Sequence, residues 1–69
     1  MPSDVTRRGI RILQDLAHGL RVREIADRAG IKPDTVYEQI DNLRRRFGAR
    51  TNAELVRLAV MKSVIKADD

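Results

Sequence analysis

AGIKPDTVYEQIDNLRRRFG (residues 29–48) reads as one helix with a marked start and a marked end. Pro33 suits the first helical position, because its fixed φ is helical and an N–H there would lack a partner. The same ring holds Lys32 in the extended region that an N-cap requires. At the far end Gly48 accepts the left-handed conformation in which helices commonly stop. Between the two, Val36, Ile40, Leu43 and Phe47 recur at helical spacing and form one narrow apolar stripe. The pattern predicts a helix from Pro33 to Phe47 lying on a small core. Its opposite face carries Asp34, Glu38 and Asp41, three carboxylates on a chain dominated by cations.

Working outward, a tight Gly30-Ile31-Lys32 turn separates this helix from a shorter one over about Val22 to Ala29, with Ile25, Ala26 and Ala29 facing inward. Gly19 ends a first helix over about Arg7 to His18. Thr6 caps that helix, and Ile10, Leu13, Leu16 and Ala17 share its buried side. Downstream, Thr51-Asn52-Ala53-Glu54 has the capping-box pattern and opens a fourth helix predicted to run to about Lys66. That helix is apolar nearly all round: Leu55, Val56 and Ala59 suit the core, while Val60, Met61 and Val64 lie on the other side beside Arg57. Four helices with a short turn between the second and third have the spacing of a helix-turn-helix. The expected fold is all-α, a single domain over residues 1–69 with a core of about 5–66.

Bulk properties agree. A 69-residue chain buries only about 60% of its unfolded surface, and with no cysteine helix packing must supply the stability, with help from a second subunit. Fourteen basic against ten acidic residues give a net charge of +4, which favours a polyanionic partner. No apolar run approaches the ~20 residues of a membrane span, and no signal-peptide pattern opens the chain, so a cytoplasmic protein is expected. Met1 and the polar Asp68–Asp69 end suggest a whole small protein, an excised domain with an added Met being the alternative. An enzyme is not expected. The sole imidazole, His18, falls at a helix C-terminus where positive charge is favourable, and no nucleophile, base and orienter surround it. No metal-ligand cluster or phosphate-binding glycine loop appears, so no metal or cofactor is expected.

The stretch LAHGLRVREIADRAGIKPDTVYEQIDNLRRRFGARTNAELVRLA (residues 16–59) resembles the DNA-binding domain of LuxR/FixJ (GerE-like) regulators. Gly19, the Glu24-Ile25-Ala26 word, Gly30-Ile31, Thr35-Val36, Gly48, Glu54 and Val56 stand at that family's separations. The resemblance covers about Val5 to Val60. Sigma-factor region four shares the first half of the pattern but not the Asn52-Ala53-Glu54-Leu55-Val56 helix. The resemblance implies a four-helix LuxR-type helix-turn-helix domain whose third helix enters the DNA major groove and whose fourth helix dimerises. Departures are informative. Arg21 and Lys32 replace the usual Ser or Thr caps, and Gly9 replaces an acid. Tyr37, Gln39 and Asp41 stand where the family tends to have Lys, His and a basic residue.

On this reading Tyr37, Glu38, Asp41 and Arg45 face the bases. Arg21, Arg23, Lys32, Thr35, Arg44, Arg46 and Arg50 hold phosphates, and Arg57, Val60, Met61 and Val64 form a homodimer interface. The expected function is sequence-specific binding of double-stranded DNA by a transcriptional regulator. The alternative is a helix-turn-helix turned to protein binding, its acidic third-helix face meeting a basic partner such as another regulator or RNA polymerase. Of the three acids, Asp34 sits in the first turn, where acids are favoured, and Asp41 can pair with Arg44 or Arg45. Glu38 has no such duty.

Overall fold

A computed structural model describes residues 5–66; Met1 and the Asp68–Asp69 end lie outside the described residues. Four helices run in chain order: α1 (Arg7–Ala17), α2 (Val22–Ala29), α3 (Pro33–Phe47) and α4 (Asn52–Met61). Among the described residues there is no strand, and no helix is long and apolar enough to cross a membrane.

The first helix starts as predicted. Thr6 Oγ1 accepts the Gly9 N–H at 3.0 Å, satisfying a donor that the helix itself leaves orphaned. It stops at Ala17, with His18 as its cap. The buried side differs from the predicted one. Leu13 is fully buried, but its companion is Ile12, while Ile10, Leu16 and Ala17 are half-buried. The cause is that α1 packs against α2, α3 and α4 alike, so its apolar arc is wider than a single stripe. Gly9 is buried within this helix. A Cβ there would stand 3.3 Å from the Val5 side chain and 3.4 Å from Thr6 Oγ1, so the missing side chain lets Val5 and the cap close over the helix start.

The helix-turn-helix is as predicted. Glycine in the left-handed region closes α2 and α3, both Gly30 and Gly48 having φ near 70°. In each case the next residue donates back to the last turn: Ile31 N–H to the Ala26 carbonyl at 3.0 Å and Ala49 N–H to the Arg44 carbonyl at 2.8 Å. These bonds satisfy carbonyls that a helix end would otherwise orphan. Val36, Ile40 and Leu43 are buried and Phe47 is half-buried. Since α3 touches each of the other three helices, its rotation about its own axis is fixed, and so is the face it leaves in solvent.

The fourth helix departs from expectation. It ends at Met61, not near Lys66. Ser63 adopts φ 59°, its N–H donates to the Val60 carbonyl at 3.0 Å, and the Val64 N–H donates to the Ala59 carbonyl at 2.9 Å. This is the closure seen at Gly30 and Gly48, built on a serine. A left-handed non-glycine residue costs about 1–2 kcal/mol. The reversal turns Ile65 into the core, where it is 5% exposed, and burying such a side chain is worth about 1.5–3 kcal/mol. Burial therefore outweighs the strain. Capping at the start of α4 also differs in detail. Thr51 Oγ1 accepts the Glu54 N–H at 3.0 Å, but Glu54 reaches the Arg50 N–H at 2.7 Å rather than that of Thr51.

The core is a single cluster. It comprises Ile12 and Leu13 of α1, Ile25 and Ala26 of α2, Val36, Ile40 and Leu43 of α3, Leu55 and Ala59 of α4, and Ile65 of the tail. Ala29 and Val56, expected inside, are half-buried, Val56 packing against the cluster from outside. Among the described residues no polar or charged side chain is buried.

Candidate nucleic-acid interface

With the stripe of α3 fixed inward, its opposite side is available to a partner. Tyr37 is 58% exposed, and Glu38, Asp41 and Arg45 are exposed beside it. The structure thus brings together the four residues that the sequence assigned to base contact. Two of them are tied down along the helix. Asp41 accepts from Arg44 Nη2 at 3.0 Å, the i to i+3 pairing that its sequence position allows, and Arg45 Nη2 donates to Asn42 Oδ1 at 2.8 Å. Such exposed pairs add no more than about 1 kcal/mol to stability, but they hold the guanidiniums in defined places. Glu38 differs: among the described residues it makes no hydrogen bond and no ion pair.

The residues assigned to phosphates lie at the starts of α2 and α3, along α3 and in the loop before α4. Arg21 and Lys32 are exposed at the starts of α2 and α3, both in extended backbone, and neither side chain caps its helix. Arginine and lysine have no acceptor to offer an N–H. At α2 the reciprocal contact survives alone, the Arg21 N–H donating to Glu24 Oε1 at 2.9 Å. At α3 no side chain caps the helix; Lys32 stands just before the first turn and the Asp34 carboxylate within it, so the helix start carries one charge of each sign. Arg23, Arg46 and Arg50 are exposed, and Thr35 is half-buried. Arg44 is half-buried; besides Asp41 it reaches the Arg50 carbonyl at 3.5 Å, linking the end of α3 to the loop before α4. A groove of about 350 Å³ lies between the first turn of α1 and one flank of α3, with Thr6, Thr35, Glu38, Asn42 and Arg46 on its walls.

The residues assigned to dimerisation are less uniform. Met61 is 67% exposed. Arg57 is exposed and lies over it, Nη1 to Sδ 3.5 Å, with Glu54 at 3.9 Å. Val60 and Val64 are half-buried against the core, and Val64 lies beyond the end of α4 because the helix stops at Met61. A shallow depression between the end of α1 and the start of α4 is lined by Leu16, Ala17, Asn52, Ala53 and Val56 and includes none of the four residues assigned to dimerisation.

The sequence pattern alone gave no role to Arg7, Arg8 and Arg11. All three are exposed on α1 and line a cleft of about 250 Å³ between α1 and α2, together with Arg28. The signal that would have found them is a first helical turn holding arginines and no acid. Among the described residues no group of three or more His, Cys, Asp or Glu could hold a metal ion.

Two comparisons with known proteins bear on this geometry. The family model described as bacterial regulatory proteins, luxR family, matches residues 3–59. The Transcriptional regulatory protein UhpA of Escherichia coli (strain K12) is 36% identical over 53 residues, covering 77% of this chain and 27% of that protein. The chain therefore spans roughly a quarter of the length of this relative. No solved structure matches.

Proposed function

The chain belongs to the luxR family of bacterial regulatory proteins, and from that premise we propose that it binds double-stranded DNA sequence-specifically to regulate transcription. The name of the relative, a transcriptional regulatory protein, supports transcription as the process. The observation that carries the reading is the fixed rotation of α3. Its apolar stripe is held by three neighbouring helices, and Tyr37, Glu38, Asp41 and Arg45 stand clear of the core on one side.

In this reading α3 enters the major groove. Arg45, pre-positioned by Asn42, meets an acceptor edge such as guanine, and Glu38 accepts from a cytosine amino group. Arg21, Arg23 and Lys32 meet phosphates with their side chains from the starts of α2 and α3, with Thr35, Arg46 and Arg50 on the rim. Arg44 keeps Asp41 from repelling the backbone. Two copies joined through Arg57, Met61 and the exposed edges of Val60 and Val64 place two recognition helices on half-sites about 34–36 Å apart.

Binding to a random duplex pool over a salt series tests the assignment of the rim. Arg21→Ala, Arg23→Ala and Lys32→Ala each weaken binding to all sequences alike and reduce the magnitude of the log–log salt slope by about 0.9. A loss confined to one sequence would show that these are not phosphate contacts. A second reading has a specific support, the exposed Tyr37 ring beside an acid with no partner. There the acidic face of α3 binds a basic protein surface, and negligible affinity of the wild type for DNA at physiological salt would favour it.

A further inference from the structure

Four guanidiniums face one cleft on the α1–α2 side of the domain, Arg7, Arg8 and Arg11 from α1 and Arg28 from α2. One carboxylate, Asp15, stands among them, and it is engaged with Arg28 at 3.2 Å. Arg7, Arg8 and Arg11 make no hydrogen bond or ion pair among the described residues. Their positions work against the fold. Arg7 and Arg8 occupy the first turn of α1, where the helix dipole is positive and an acid would be favourable, and no acid is there. Arg7 and Arg8 are one helical turn from Arg11, so the three repel one another. Charges placed against both the dipole and each other call for an anion from outside.

The surroundings indicate which anion. Thr6, next to Arg7, is on the wall of the groove that α1 shares with α3, opposite Glu38 and Arg46. The first turn of α1 therefore stands between the flank of the reading helix and the arginine cleft. A duplex seated along α3 carries a negative charge per ~1.7 Å of its axis on the strands bordering that helix. Several unpartnered cations in succession match a polyanion of repeated charge better than a ligand with one anionic group.

We propose that Arg7, Arg8 and Arg11 form a second phosphate-contacting track, which binds the backbone flanking the base pairs read by α3. This deepens the DNA-binding reading and rests on it. The track is held by charge and not by bidentate geometry, so lysine can replace arginine in it. It adds affinity on every sequence and no base preference. It also explains why the chain tolerates an acidic reading face: the repulsion of Asp34 and Glu38 from the backbone is offset by cations on a neighbouring helix.

The test measures binding of the full chain to duplex DNA by fluorescence anisotropy across a salt series. It compares the wild type with Arg7→Gln/Arg8→Gln/Arg11→Gln and with the corresponding triple lysine variant. Thermal melts establish that each is folded, and the glutamine variant is expected to melt at least as high as the wild type, because it loses unfavourable charges. The track predicts a salt slope smaller in magnitude by about 2–3 for the glutamine variant, weakened equally on all sequences, and a near wild-type slope for the lysine variant. If the wild type binds DNA and the glutamine variant has the same slope, the track is wrong while the DNA-binding reading stands. If the wild type shows no DNA binding, both are wrong.

Discussion

Helices α3 and α4 end in the same geometry and reach it differently. At α3 the left-handed residue is Gly48 and the closing bond is 2.8 Å; at α4 it is Ser63 and the bond is 2.9 Å. Glycine adopts this conformation at little local cost. Serine does not, so the end of α4 is imposed from downstream, by the docking of Ile65 in the core. The same contrast runs along the two helices. On α3 one narrow stripe is buried, and apart from Pro33 and Tyr37 the remaining positions are polar. On α4 apolar residues surround the axis, and only packing decides that Leu55 and Ala59 are inside while Met61 is out. A helix whose boundaries and buried face are written in residue types can be read directly; one whose boundaries are set by tertiary contact cannot.

The largest effect that would break this comparison concerns Ile65. If its burial terminates α4, Ile65→Ala should destabilise the domain by about 2–4 kcal/mol, measured by urea denaturation. A cost near zero would mean that the tail is not docked and that α4 has another reason to stop. Next in size is Gly48→Ala, which places a Cβ on a residue with φ 70° and should cost about 1–2 kcal/mol. Its melting temperature should fall by several degrees, given about 4–8 °C per kcal/mol for a domain of this size. Smallest, and opposite in sign, is Ser63→Gly. Relief of the left-handed strain, less the added freedom of glycine when unfolded, should stabilise by about 0.5–1 kcal/mol. A melting temperature that falls instead would show that the serine has a role other than chain reversal.

Legibility in the sequence divides along the same line. Pro33, Gly30 and Gly48 marked the helix-turn-helix, and the Val36, Ile40 and Leu43 stripe fixed which side of α3 is free, because each of these residues constrains the backbone or its burial locally. The pairing of Asp41 was legible to within two partners, Arg44 and Arg45, since residues three and four apart on a helix are neighbours; the structure selects Arg44. Ile12 was missed because α1 is flanked on three sides, which no single stripe conveys. The end of α4 was missed because its signal is Ile65, distant in effect from Met61. The reach of Glu54 to Arg50 in place of Thr51 was missed because the pattern names a donor position, not the geometry that selects it. The arginines of α1 are, one at a time, ordinary surface charges; their meaning appears only with Arg28 across the cleft.

The central claim is that the outer face of α3, with Glu38 at its middle, reads base pairs. The most direct test is base preference at each position of a randomised duplex, compared between the wild type and Glu38→Ala. Glu38 is exposed and unpartnered among the described residues, so its removal should leave the fold intact. The predicted result is that Glu38→Ala relaxes discrimination worth about 1–3 kcal/mol at one base pair, while its affinity for non-specific DNA rises as a charge repelling the backbone is lost. An identical preference at every position for the two proteins would contradict the claim.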